Sequence, residues 1–327
     1  MNYEAILFVS FGAPEKHSDV MPFLRNVVKG RGVPDERLLE VAENYELFGG
    51  KSPLTEQNRE IIEKLKASLA ENGVDLPVYF GNRNWNPFLS EAMSEMKRDN
   101  VKNAVAFVTS AYSSYSGCRQ YREDVEKAKL EADFTELETY KLPVFYHKPL
   151  FIEANAEHLQ NELDKIPSER RKDAQVIFTA HSIPLSMSAN CNYLEQLTET
   201  CRRVAETVGH ENYQLAFQSR SGSPQVPWLE PDVNDALREL ENVQDVVIHP
   251  IGFLSDHIEV MYDLDTQAKA TAHDLNMNFY RVKTVGTNPK FIKVITDSII
   301  AGLRGEKDAR FCHETCCLPA VRPAGRP

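Results

Sequence analysis

Short apolar runs alternate with longer amphipathic stretches along the whole chain. Seven runs have strand length: "AILFVSF" (5–11), "PVYFG" (77–81), "AVAFVT" (104–109), "QVIFTA" (175–180), "QLAFQS" (214–219), "VVIHPIGF" (246–253) and "NFYRVKT" (278–284). They are almost continuously apolar rather than alternating, the pattern of parallel strands covered on both faces. Between them, segments 54–72, 87–98, 119–131, 150–164, 192–208 and 257–272 carry a helical period. Strands and helices in alternation build βαβ units and doubly wound sheets. The two halves repeat one layout, so the expected fold is α/β with two Rossmann-like domains, each a mainly parallel sheet covered by helices. "KLPVFYHKPLF" (141–151) has two prolines and no clear period, which suits a crossover. The expected domains are 1–145 and 146–305, followed by a cysteine-containing tail, 306–327.

Length agrees with this reading: 327 residues suit two domains of roughly 150 residues each. Lys plus Arg number 37 against 48 Asp plus Glu, a net charge of -11. That balance argues against nucleic acid as a partner, since phosphate binding needs a basic field. It leaves room for a local cationic patch. The opening "MNYEAILFVSFGAP" has no Lys or Arg before its apolar run, carries Glu4 and lacks a small-residue cleavage site, unlike a signal peptide. Apolar runs fall short of the roughly 18 residues of a membrane span. The expected setting is the cytoplasm, where structural disulfides are uncommon, so the six cysteines need another explanation.

One motif is refused. "GGKSPL" (49–54) ends like a P-loop, but position 45 is Tyr45 where that motif needs glycine, and a helical pattern precedes it. Ser52 as a helix N-cap, with Pro53 at the first helical position, is the simpler reading. The polar ends of two second-half strands are more informative. "QVIFTAHSIP" puts His181 just past one strand, and "GFLSDHIEVMYDLD" puts Asp256, His257 and Glu259 just past another. Strand ends of one parallel sheet converge on one crevice. A lone histidine is usually structural and Asp256 could be a helix cap, but convergence favours chemistry at His181 and Glu259. A helix from about His257 would line up Glu259, Asp263 and Gln267 four residues apart. A solvated acidic face is the ordinary meaning of such a row; starting at a crevice, it also suits a divalent cation or a proton relay.

"TAHSIP", "FQSRSGSPQVPWLEP", "GFLSDHIEVMYDLD", "YELFGGKSPLTEQN" and "TSAYSSYSGCRQYRED" together resemble the ferrochelatase family, whose members insert ferrous iron into porphyrins. The resemblance runs in order from about residue 5 to 303. The Ser-Gly-Cys-Arg-Gln-Tyr stretch is similar to the actinobacterial branch, which implies Fe²⁺ insertion into coproporphyrin III on the route to haem b. It implies metal or proton handling by His181 and Glu259 on opposite flanks of the pocket, with Asp263 as relay. It also implies porphyrin contacts at Ser52 and Tyr121 and a basic stretch, Lys29 and Arg31, near the propionates. Trp228 is expected to pack the pocket wall. Transient contact with neighbouring haem-pathway enzymes is the expectation for protein partners.

The chain departs from the family in places. Phe11 stands where another branch has a tyrosine able to ligate iron, Asn86 replaces a family histidine, and Gln267 removes a charge from the acidic row. "RFCHETCCLP" offers Cys312, Cys316 and Cys317. With Cys118, the resemblance makes these the ligands of a [2Fe–2S] cluster, which requires four thiolates. The C-x3-C-C spacing is tighter than usual, and incidental thiols or a zinc site are the competing readings. Competing functions are a protoporphyrin IX ferrochelatase, another tetrapyrrole chelatase, or a haem or metal carrier. The His181–Glu259 pair favours catalysis, because a carrier would supply a strong axial ligand and Phe11 removes the obvious one.

Overall fold

A computed structural model of the chain describes residues 3–221, 225–306 and 316–319. Its centre is a pair of four-stranded parallel sheets. The first has the order β2-β1-β3-β4, from β1 (Ala5–Ser10), β2 (Val78–Asn82), β3 (Asn103–Val108) and β4 (Glu138–Lys141). The second repeats it as β6-β5-β7-β8, from β5 (Gln175–His181), β6 (Tyr213–Gln218), β7 (Asp245–His249) and β8 (Asn278–Arg281). All seven expected strands are present. The additional strand, β4, is a half-exposed edge whose sequence, Glu-Thr-Tyr-Lys, carries no apolar run. β7 stops at His249 because Pro250 has no N–H to give the ladder.

The helices of the first half are α1 (Val20–Val27), α2 (Asp35–Glu46), α3 (Leu54–Glu71), α4 (Leu89–Arg98) and α5 (Gln120–Glu131); α6 (Pro149–Leu163) follows the crossover. The later ones of length are Tyr193–Val208 and Pro289–Leu303. The last of these returns to the first sheet. Thr296 Oγ1 donates to Ser68 Oγ of α3 at 2.9 Å, and Gly302 lies against Leu142 and Val105. One apolar core runs through both halves, from Ile6, Phe8 and Phe107 to Phe178, Val247 and Phe291. No helix among the described residues is long and apolar enough to cross a membrane.

In each sheet the chain leaves its first strand to one side and returns on the other, so the order reverses between β1 and β3 and between β5 and β7. Ligand crevices open at such switch points, beyond the carboxyl ends of the strands. The loops from the two switch points touch. Tyr112 Oη donates to the Ile251 carbonyl at 3.0 Å, and the Asp256 N–H donates to Gln57 Oε1 at 2.9 Å.

Candidate active site

The segments after β3 and β7 share an uncommon device. Tyr115–Arg119 and Met261–Ala268 are both π-helical, with i→i+5 bonds in place of i→i+4. A side chain caps each: Ser114 Oγ accepts the Gly117 N–H at 2.9 Å, and His257 Nδ1 accepts the Val260 N–H at 3.5 Å. Burial lowers the His257 pKa, which keeps Nδ1 free to accept. The expected helix 257–272 is therefore a short turn, Ile258–Val260, a π segment and a final helix, Lys269–Asp274. Glu259, Asp263 and Gln267 do not form the straight α-helical row that their spacing suggested. The capping residue is His257 rather than Asp256, whose carboxylate pairs with Arg281 at 2.8 Å.

His181 is the last residue of β5. Its carbonyl accepts from Tyr193 Oη at 3.0 Å, and the ladder continues one residue further, Ser182 N–H to Gln218 O at 2.8 Å. These bonds fix the backbone, while the ring lies 2.5 Å through Nδ1 from the Ser182 carbonyl. A carbonyl only accepts, so Nδ1–H faces it and Nε2 is the ring nitrogen turned toward Glu259. Nε2 lies 3.8 Å from Glu259 Oε2. A flat macrocycle needs about 3.5 Å of clearance on each face, so it does not fit between these two groups, which lie on one side rather than on opposite flanks as expected. The Glu259 side chain is 59% exposed, open to a hydrated cation.

Asp263 follows inward. Its Oδ2 accepts from Gln218 Nε2 at 3.3 Å and from Ser219 Oγ, with Ser219 in the left-handed region at φ 59°. Burial, with Glu259 adding to it, raises the Asp263 carboxyl to about 6; the Ser219 hydroxyl opposes the shift. A raised carboxyl binds a proton in the folded state that the unfolded chain releases, so stability falls as pH climbs from about 4 to about 6. Asp263→Asn is therefore expected to stabilise the protein at pH 7.5 by about 1–3 kcal/mol, with little change near pH 4.5. Thermal melts at the two pH values check this, and an equal shift at both would contradict it.

An aromatic cluster of the first half reaches the residue next to Glu259. Phe23 of α1 meets Phe11, Tyr45 of α2 and Trp85 edge-on at 6.3, 6.4 and 6.3 Å. Ile258, next to Glu259, packs into the same apolar cluster. This aromatic cluster was not legible in the sequence, because its members sit singly in unrelated segments. Arg83 was missed too: its guanidinium lies 3.7 Å above the Tyr121 ring and 5.9 Å from that of Phe11, and pairs with Asp124.

The structure thus brings His181, Glu259 and Asp263 together. Lys29 and Arg31 stand exposed on the turn leaving α1. Ser52 is buried one residue ahead of the cap position of α3, and its hydroxyl reaches the Leu54 N–H at 3.4 Å. Tyr121 is buried beneath the Arg83 guanidinium. Trp228 bridges to Pro184 and is partly buried, its Nε1 without a hydrogen-bond partner among the described residues. Cys118 is buried in the first π turn, and Cys316 and Cys317 lie on the tail segment; Cys312 falls outside the described residues. No group of three or more His, Cys, Asp or Glu among the described residues is placed to hold a metal ion.

Two doubly wound domains meeting at their switch points form a chelatase fold. The chain superposes on the cobalt complex of the sirohydrochlorin chelatase SirB from Bacillus subtilis subspecies spizizenii with a TM-score of 0.56 at 12% identity, covering 92% of this chain and 95% of that one. The sequence goes further: the ferrochelatase family model matches residues 3–303, and this chain belongs to the ferrochelatase family. Among its relatives, the coproporphyrin III ferrochelatase of Nocardia farcinica is 44% identical over 99% of both chains. The ferrochelatase of Rhodopirellula baltica is 43% identical over 99% of this chain and 97% of its own.

Proposed function

We propose that this chain inserts Fe²⁺ into coproporphyrin III, yielding Fe-coproporphyrin III on the coproporphyrin-dependent route to haem b. The observation that carries the reading is the His181–Glu259 pair, 3.8 Å apart at the crevice of a ferrochelatase-family chain. Several relatives over 40% identical are named for coproporphyrin III. Metallation must remove two pyrrole protons and strip water from the cation. The free Nε2 of His181 takes a proton, and the imidazolium so formed is stabilised by Glu259. Glu259, exposed and anionic, draws Fe²⁺ and replaces part of its water shell. Asp263, half-titrated at about pH 6, accepts protons leaving this pair. Lys29 and Arg31 give the four propionates a cationic rim on an acidic protein. Anaerobic metallation with coproporphyrin III and protoporphyrin IX side by side tests the reading. Preferential turnover of coproporphyrin III supports it; equal or reversed preference refutes it.

We also propose a [2Fe–2S] cluster on Cys118, Cys312, Cys316 and Cys317. The thiol set is the one the resemblance implies, and although Cys118, Cys316 and Cys317 do not converge as a metal-holding group, basic surroundings support the reading. Cys316 Sγ accepts from Arg122 Nη2 at 3.5 Å, Arg119 Nη1 donates to the Cys316 carbonyl at 3.3 Å, and Arg122 Nε is buried with no partner among the described residues. Two guanidiniums match the negative charge of a four-thiolate cluster, and a cavity of about 180 Å³ lies beside Cys118 and Arg122. When bound, the cluster would supply one-electron redox chemistry and tie the tail to the first π turn. Anaerobically purified protein is expected to be brown, with visible absorbance lost in Cys118→Ser; colourless, iron-free wild type would refute the cluster.

A further inference from the structure

We propose that Arg281 is a positioning residue that holds Glu259 in register for Fe²⁺, an inference resting on the iron-binding role given to Glu259 above. Arg281 ends β8, and its side chain is 12% exposed. Nη2 contacts Asp256 Oδ1 at 2.8 Å, Nε contacts Asp265 Oδ1 at 3.1 Å, and Nη1 donates to the Val282 carbonyl at 2.7 Å. Asp256 lies just before Glu259 and Asp265 just after Asp263, so one guanidinium grips both ends of the segment carrying the acids. Asp256 is held from its other side as well, its N–H donating to Gln57 of the first half.

The grip matters because of what lies between its two ends. A π segment is a rare interruption of α-helical geometry, found mostly as short bulges inside α-helices and often at functional sites. Relaxation to α geometry would turn Glu259 and Asp263 relative to one another and to the fixed strand end that carries His181. Asp256 anchors the entry to the turn and Asp265 lies inside the π segment. Arg281 therefore sets both the distance and the rotation between them. Only a planar fork with several donors can do this; a lysine ammonium supplies the charge at one point.

This separates a two-point grip from simple charge compensation. Arg281→Lys and Arg281→Gln are expected to raise the KM for Fe²⁺ at least tenfold, with affinity for coproporphyrin III, read by fluorescence quenching, within twofold of wild type. The lysine variant is expected not to restore the Fe²⁺ KM. Rescue by lysine, an Fe²⁺ KM within twofold, a loss confined to kcat, or an equal loss of porphyrin affinity would each overturn the proposal. If neither variant folds, Asp265→Asn decides: it leaves Arg281 paired with Asp256 and is expected to raise the Fe²⁺ KM about fivefold, and an unchanged KM overturns the proposal. Failure of the underlying reading looks different, because Glu259→Gln would then leave the Fe²⁺ KM of otherwise wild-type enzyme unchanged.

Discussion

His181→Ala should lower the rate of Fe²⁺ insertion into coproporphyrin III by roughly 100-fold or more, the range in which a positioned acid–base group acts. The substitution removes Nε2, the one nitrogen of the pair not already committed to a carbonyl. It leaves the backbone bonds through the His181 carbonyl and Ser182 N–H in place, so the fold should survive. Binding of coproporphyrin III should persist, since the substitution removes only the ring of His181 and leaves the neighbouring aromatic cluster of Phe11, Phe23, Tyr45 and Trp85 intact. Anaerobic initial rates beside a porphyrin fluorescence titration make the measurement. Activity within twofold of wild type, with the protein folded, would remove His181 from the mechanism. His181→Gln is an instructive companion: it retains a polar atom near Glu259 but cannot carry a proton away, so it should fall close to the alanine variant.

The sequence disclosed the strands that are buried on both faces because burial writes itself as a run of apolar residues. It did not disclose β4, a half-exposed edge whose alternation of charge, hydroxyl and ring looks like a loop. His181 and Glu259 were legible because each follows an apolar run directly and parallel strands bring such ends together. Their distance and common side were not, because these depend on the π turn. Val260, Leu264 and Ala268 share one buried face, so the stretch reads as a single α-helix in the sequence although Met261–Ala268 are π-helical. Arg281 was invisible for a related reason. It ends an apolar strand as any solvent-facing arginine would, and only the folded chain puts Asp256 and Asp265 within its reach. The return of Pro289–Leu303 to the first sheet was equally hidden, since an apolar helix face records that it is covered, not by which half.

Gly252→Val should damage both stability and metallation, because this glycine is where the loop carrying Glu259 is pressed onto the strand carrying His181. The Gly252 N–H donates to the Thr179 carbonyl at 3.0 Å, two residues before His181. A Cβ built there would stand 2.6 Å from Ala180 Cβ and 2.7 Å from Ala180 Cα, against a strand in the middle of a sheet that cannot yield. Overpacking by a single group costs about 1–3 kcal/mol, and a branched side chain should reach the upper end or exceed it. At about 2–4 °C per kcal/mol for a chain of this size, the melting temperature should drop by roughly 6–12 °C. Since Ala180 is fixed, the loop must lift, and lifting it widens the 3.8 Å approach between His181 and Glu259. Metallation should then fall at least tenfold even at temperatures where the variant remains folded. Differential scanning calorimetry together with initial rates measured well below the transition would separate the two effects. A Gly252→Val protein with wild-type melting and wild-type turnover would mean that the contact does not set the geometry of the pair.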